Sequence, residues 1–364
     1  MSRRAASLHR SPWQGVLYVT GGGSRLLSEL LTTPGASATV LEASVPYAEA
    51  ALADLLGRRP EQACSEATAR ALAMTAFQRA RHLTGGAIDE LFGLACTASL
   101  ATRRTKRGAH RAHVAVQTHA ATYAAAITFE GGDREEQEAE LQELLWRALA
   151  EALDLSLPPD DAAVPLRPAT VVHTPAERPW RNLILGLEVA FATAPHDGRL
   201  LLPGAFNPLH HAHRRMLEIA EQKTGLSGAF ELSVVNVDKP PLDYIEIERR
   251  LEQFDRPVWL TRLPTFVEKA RQFPGVSFAV GIDTLIRIID PAYYGTPEAR
   301  DRALSELAEL DTRFVVFGRK LESGFLGLGD VNLPDPLRRL CLEVTQEEFD
   351  EPVSSTSLRR GGPR

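Results

Sequence analysis

Six prolines fall between residues 154 and 180: Pro158, Pro159, Pro165, Pro168, Pro175 and Pro179. Proline fixes φ and removes a backbone donor, so no continuous helix can cross this stretch. The chain is thereby cut in two, with enough residues on either side to bury a core. Residues 13–153 are expected to form one domain and residues 199–364 a second. Residues 154–198 read as a linker with a short bridging helix at about Arg181–Phe191, and residues 1–12 as a ragged start. Within the linker, Ala169–His173 has strand character.

On both sides, short apolar runs alternate with amphipathic stretches. Trp13–Thr20 reads as a strand, Gly21–Gly23 as a turn and Ser24–Leu31 as a helix, with a further apolar stretch at Ala38–Val45. Helical periodicity returns over 47–57, 65–83 and Glu135–Leu153, where Leu141, Leu144, Leu145 and Leu149 share a stripe. Leu91–Ala98 and His113–Phe129 read as strands, the second long enough for a hairpin. From Arg199 onward the order is strand, turn, helix, repeated to the end. Such alternation predicts a parallel sheet covered by helices on both faces. The expected fold class is therefore α/β in two domains, the second Rossmann-like.

Charge and cysteine usage exclude several classes. Lys plus Arg total 41 against 47 Asp plus Glu, a net −6, so the global basic footprint of a nucleic-acid binder is missing. Any phosphate must be held by a local cluster or a helix N-terminus. Cys64, Cys96 and Cys341 are odd in number and far apart, which excludes a disulfide framework and a CxxC metal site. No run approaches the ~20 apolar residues needed to cross a bilayer, and Gly15–Val19 is too brief for a signal-peptide core. The expectation is a cytoplasmic protein with no membrane partner.

The informative stretch is Leu200–Met216, LLLPGAFNPLHHAHRRM. A buried-type strand runs through a Gly204 turn to His210 and His213, just before an apolar helix. If that helix starts near Leu209, the two histidines lie i, i+3 on its first turn. They would then face the crevice beyond the strand end, where open α/β sheets bind ligands, together with the helix's own N–H groups. His211 is expected to face away from the pair. A second helix start lies at Val353–Arg359: the hydroxyls of Ser354, Ser355 and Thr356 can cap it or donate to phosphate, and Arg359 adds charge one turn on.

These two stretches resemble the HxGH nucleotidylyltransferases. Gly204, Phe206, Asn207, Pro208, His210 and His213 meet the pattern G-x-F-[DN]-P-x-H-x-G-H, and Val353–Arg359 meets [IV]-S-S-T-x-[IL]-R. Ala212 departs from the family glycine, placing a methyl where it could crowd the nucleotide. Residues 198–362 are most similar to nicotinamide/nicotinic acid mononucleotide adenylyltransferases, through Asn236–Pro240, Gly281–Thr284 and Phe314–Arg319. The resemblance implies transfer of an adenylyl group from ATP, with Mg²⁺, to a small phosphorylated acceptor, releasing pyrophosphate. It makes His210 and His213 catalytic. It assigns Gly204, Phe206, Asn207, Gly281, Asp283, Ser354, Ser355, Thr356 and Arg359 to the nucleotide and Lys239 to the acceptor phosphate, with no protein metal site. Another acceptor such as phosphopantetheine, or a non-catalytic nucleotide-binding regulator, stays open, as does a homo-oligomer.

Residues 16–130 resemble the C-terminal domain of competence-damage-inducible proteins, the nicotinamide mononucleotide amidohydrolase family. The similarity rests on Thr20-Gly21-Gly22, Pro34-Gly35-Ala36-Ser37, Tyr47, Leu55-Leu56-Gly57 and Gly93-Leu94-Ala95-Cys96-Thr97. The family's glutamate and nucleophilic serine fall on Leu17 and Tyr18, and its lysine on Leu52. Without the serine and the lysine no nucleophile–base pair can be assembled, so the resemblance implies the fold without the hydrolysis.

Plainer readings stand beside these. His210, His211 and His213 lack the Glu or Cys that a zinc site at this spacing would use. His110 and His113 sit by Lys106, Arg107 and Arg111 and read as solvated surface. Asp283 has a second reading as a helix cap, Lys239 as a surface lysine, and Trp259, Tyr293 and Tyr294 as packing residues.

Overall fold

The computed structural model describes residues 2–85, 87–103, 108–160, 163–236, 239–321 and 324–351. The chain forms two compact α/β units: residues 1–185 with 238–248, and residues 186–237 with 249–364.

The first unit runs α1 (Arg3–His9), β1 (Gln14–Thr20), α2 (Ser24–Thr32), β2 (Val40–Ser44), α3 (Glu49–Leu55), α4 (Glu66–Leu83), β3 (Leu91–Ser99), β4 (His110–Thr118), β5 (Ala121–Phe129), α5 (Arg134–Ala152), β6 (Thr170–Pro175) and α6 (Arg178–Leu185). Its sheet has the order β2-β1-β3-β4-β5-β6. The β1 pairings with β2 and β3 are parallel, and the rest are antiparallel. The sheet is buried on both faces, because strand residues alternate sides. Leu17 and Val19 join the core beneath α2 and α5, whereas Val16 and Tyr18 join the cluster beneath α3 and α4. Gly21 has φ +77°, and a Cβ there would lie 1.9 Å from the Ala98 carbonyl oxygen, so the glycine run is a tight turn.

Two segments differ from the sequence expectation. The first residues form a helix rather than a ragged end: the Ser2 side chain caps α1, and Ala5 and Leu8 enter the core. The strand expected at Ala169–His173 does form, as β6, shifted toward Pro175 and paired from Ala126↔Thr170 to Ala121↔Pro175 at the sheet edge. Proline forbids helix there, but an edge strand has one unpaired side and tolerates it. The helix expected at Arg181–Phe191 begins and ends earlier, as α6.

The second unit comprises β7 (Ala190–Ala192), β8 (Leu200–Pro203), α7 (His211–Thr224), β9 (Ala229–Ser233), the end of α8 (Tyr244–Leu251), β10 (Val258–Thr261), α9 (Phe266–Gln272), β11 (Ser277–Gly281), α10 (Ile282–Ile289), α11 (Pro297–Glu309), β12 (Arg313–Phe317), β13 (Arg319–Leu321), β14 (Gly324–Leu326), α12 (Asp335–Arg338) and β15 (Cys341–Val344). Its sheet order is β15-β12-β11-β8-β9-β10-β7, all parallel except β7. From β8, successive strands build outward to β10, and the chain then returns to β11 on the other side of β8. The order therefore reverses between β8 and β11, which is where doubly wound sheets open a ligand crevice beyond the strand ends.

No helix among the described residues is long and apolar enough to cross a membrane.

Candidate nucleotide site

The switch point brings two of the sequence-predicted segments to neighbouring strand ends. Gly204–His213 follows β8, and Gly281–Asp283 follows β11, which pairs with β8 through Ser277↔Leu200 and Phe278↔Leu201. The Gly204 loop is shaped by Phe206, a buried residue at φ +46°. A left-handed backbone costs a side-chain-bearing residue about 1–3 kcal/mol. Packing of the Phe206 ring offsets it: His213, Phe230 and Phe254 lie edge-on at 5.2, 5.3 and 5.2 Å between centroids. A Cβ on Gly204 would fall 2.6 Å from that ring, so the glycine makes room for Phe206. Phe206 itself is 1% exposed and shapes the loop from inside.

His210 is the N-cap residue of α7, and His213 lies three positions later. Their rings are stacked, with centroids 3.6 Å apart at 24°. The His213 amide donates to the His210 carbonyl at 3.0 Å, and the His210 amide donates to His213 Nδ1 at 3.3 Å. Acceptance at Nδ1 leaves the imidazole proton on Nε2. Both nitrogens of the His210 ring are shielded from solvent and have no partner. Burial, followed by the neighbouring His210, pushes the His213 imidazole down to about 3. Burial and then His211 lower His210, partly countered by Glu351. Both rings are thus neutral donors near pH 7. Leaving buried ring nitrogens unpaired costs about 1–3 kcal/mol each, and an incoming acceptor would remove that cost at the protonated nitrogen.

Ala212 is 2% exposed, so the methyl that departs from the family glycine is absorbed in packing. His211 meets Glu351 at 2.9 Å, and its ring lies edge-on to that of His210 at 6.3 Å between centroids. Glu351 lies three positions before Ser354; Ser354, Ser355, Thr356 and Arg359 themselves lie outside the described residues.

At the second strand end, Gly281 is the N-cap of α10, with φ −73° and nothing within 4 Å of an added Cβ. Neither its backbone angle nor its neighbours demand glycine. Asp283, in the first turn of α10, is paired with Arg319, both about half exposed. Asn207 is exposed. Lys239 is exposed too, and belongs to the segment grouped with the first unit rather than with the unit that holds the histidines. Among the described residues, no cluster of three or more His, Cys, Asp or Glu is arranged to hold a metal ion.

Several organising residues carry no sequence signal that local pattern could expose. Gln253 and Arg250 bond the Gly204 loop from a distant segment. Lys269 and Glu231 form a buried pair at 2.7 Å, and the Glu231 carbonyl accepts the Gly204 amide at 3.0 Å. In the first unit, Arg70 is 2% exposed and lies 2.6 Å from Asp243, 3.2 Å from Glu66 and 3.3 Å from Glu246, locking residues 239–248 into that unit.

In the first unit, Tyr18 and Leu52, the positions where the sequence resemblance would put a serine and a lysine, are packed in the core. Tyr18 is 2% exposed, packs in one cluster with Leu52 and Leu56, and donates its hydroxyl to Glu42 at 3.0 Å. Burial followed by Glu42 raises its pKa, so it stays protonated. His110 and His113 are half-buried on β4 rather than solvated. His110 Nδ1 meets Gln137 Nε2 at 2.9 Å, while both His113 nitrogens are shielded without a partner. The reason is register: β4 lies inside the sheet, between β3 and β5.

No family model matches the chain, and no curated protein is similar to it. Among solved structures it is similar to a competence-damaged protein (CinA) superfamily protein from Klebsiella pneumoniae, at 20% identity over 42% of this chain and 94% of that one, TM-score 0.35. It is also similar to the competence/damage inducible protein CihA from Agrobacterium tumefaciens, at 21% identity over 42% of this chain and 91% of that one, TM-score 0.33. A CinA superfamily protein from Escherichia coli is similar at 22% identity over 40% and 82%, TM-score 0.32. Similarity this distant carries no functional weight, and function has to be read from the residues.

Proposed function

We propose that the second unit is a nucleotidylyltransferase that moves the adenylyl group of ATP onto a small phosphorylated acceptor, nicotinamide or nicotinic acid mononucleotide. The observation that carries this is the stacked His210–His213 pair at the start of α7, with both His210 ring nitrogens unpartnered, beyond β8 at the sheet's switch point. An acceptor phosphate oxygen attacks the α-phosphorus of ATP in line, a P–O bond forms, and the α–β bridging bond breaks to release pyrophosphate. A phosphate is already an anionic nucleophile, so no strong base is needed. Catalysis is positioning and charge stabilisation, supplied by the two imidazole N–H groups and the α7 N-terminus. Mg²⁺ brought in by ATP would supply charge neutralisation on the phosphates. Gly281 gives close approach beside β11, and Asp283 exchanges Arg319 for the ribose hydroxyls. Ser354, Ser355, Thr356 and Arg359 take the β- and γ-phosphates.

The first unit is assigned no hydrolysis of nicotinamide mononucleotide, because Tyr18 and Leu52 occupy the positions a nucleophile and base would need. The test is pyrophosphate release from ATP across a panel of phosphorylated acceptors, with nicotinamide release scored in parallel. Turnover with a pyridine mononucleotide and no nicotinamide release is expected. Turnover only with phosphopantetheine would reassign the acceptor, and silence with every acceptor would remove the enzyme.

A further inference from the structure

The β8–α7 loop holds its shape against its own preferences. Phe206 is left-handed, and α7 begins without a side-chain cap from the usual Ser, Thr, Asp or Asn. The loop's backbone groups still need partners, and one short segment at the end of α8 supplies several. Arg250 donates to the Ala205 carbonyl at 2.9 Å. Gln253 uses both ends of its amide: Oε1 accepts the Leu209 N–H at 2.8 Å, and Nε2 donates to the Phe206 carbonyl at 3.3 Å. The same Nε2 reaches the Arg249 and Arg250 carbonyls at 3.4 and 3.3 Å, tying the amide to the end of its own helix. The next residue, Phe254, packs on the Phe206 ring.

We propose that Gln253 is a positioning residue for the proposed transfer, clamping Phe206 to Leu209 so that His210 enters α7 in register with His213. This rests on the nucleotidyl-transfer reading for its functional consequence, but the clamp itself does not. Leu209 is bonded to Gln253 and covalently joined to His210, and His210's amide in turn bonds His213 Nδ1. Loss of the amide frees the Leu209 N–H and the Phe206 carbonyl together, and the stacked pair loses its fixed spacing. A reacting group displaced by about an ångström costs on the order of 10²-fold in rate.

The experiment compares the full-length wild type with Gln253→Ala and Gln253→Glu. It reads kcat and KM for pyrophosphate release from ATP, together with histidine-ring titrations by NMR. The alanine variant is expected to lose roughly 10- to 100-fold in kcat with KM for ATP changed less than about 3-fold. Its His213 titration should move up toward the ordinary histidine range as water reaches the ring. Gln253→Glu keeps an oxygen for the Leu209 N–H but loses the donor, so it should fall between the two. Should the alanine variant fail to fold, the glutamate variant is read on the same scales. An unchanged His213 titration overturns the clamp, as does a kcat equal to wild type. If wild type shows no turnover with any acceptor, the transfer reading falls, and the ring titrations alone decide the clamp.

Discussion

Tyr18 in the first unit and His210 in the second both sit where a family resemblance locates chemistry, and their surroundings are opposite. Tyr18 is buried beside Leu52, with its hydroxyl satisfied by Glu42. His210 has two shielded nitrogens with no partner at all. A saturated polar group stabilises the protein in its resting form; an unsatisfied one is stable only if something else arrives. The comparison is not absolute, since His113 in the first unit also has unpartnered nitrogens. That ring, however, is single, whereas His210 is stacked on a second imidazole at a helix start.

The sharpest way to break this contrast is to remove a partner in each unit. Asp243→Ala strands the buried Arg70 charge and should destabilise the first unit by about 3–5 kcal/mol in urea unfolding. A loss below about 1 kcal/mol would show that Glu66 and Glu246 suffice. His210→Ala should do the reverse. Pyrophosphate release should fall by roughly 10²–10³-fold, while stability, with no bond lost from either ring nitrogen, stays within about 1 kcal/mol. Equal loss of turnover and folding would make His210 a structural residue.

Asp283→Ala should raise KM for ATP by about tenfold, the effect of one lost charged hydrogen bond. Its exposed pair with Arg319 should cost under about 1 kcal/mol of stability. An unchanged KM would return Asp283 to the plain role of pairing Arg319.

The smallest effect is in pH. The folded His213 titrates near 3, below its unfolded value, so the unfolded chain binds the extra proton between the two. Stability should therefore fall as pH drops through about 6.5 toward 3, by at most about 1.4 kcal/mol per pH unit from this residue. His213→Gln should flatten that slope. Bound MgATP should raise the ring's titration, because a triphosphate favours imidazolium; no movement would place the phosphates elsewhere.

Periodicity made most elements legible. Trp13–Thr20, Leu91–Ala98 and Glu135–Leu153 became β1, β3 and α5 within a residue or two, because their apolar spacing is a local property. In the proline-rich stretch, the strand character of Ala169–His173 was legible and became β6, but that it pairs at the sheet edge depends on β5.

The order of residues by itself determined that two α/β units would form and that His210 and His213 would meet at the start of one helix, since both follow from spacings of a few residues. Only the tertiary structure decided that Gly281 would lie one strand away from that turn, that Gln253 would grip the loop, and that Asp243 would be buried against Arg70. Those contacts join positions tens to more than a hundred residues apart. Pairing at such separations is chosen by the whole chain's burial of its apolar surface, which no local window contains.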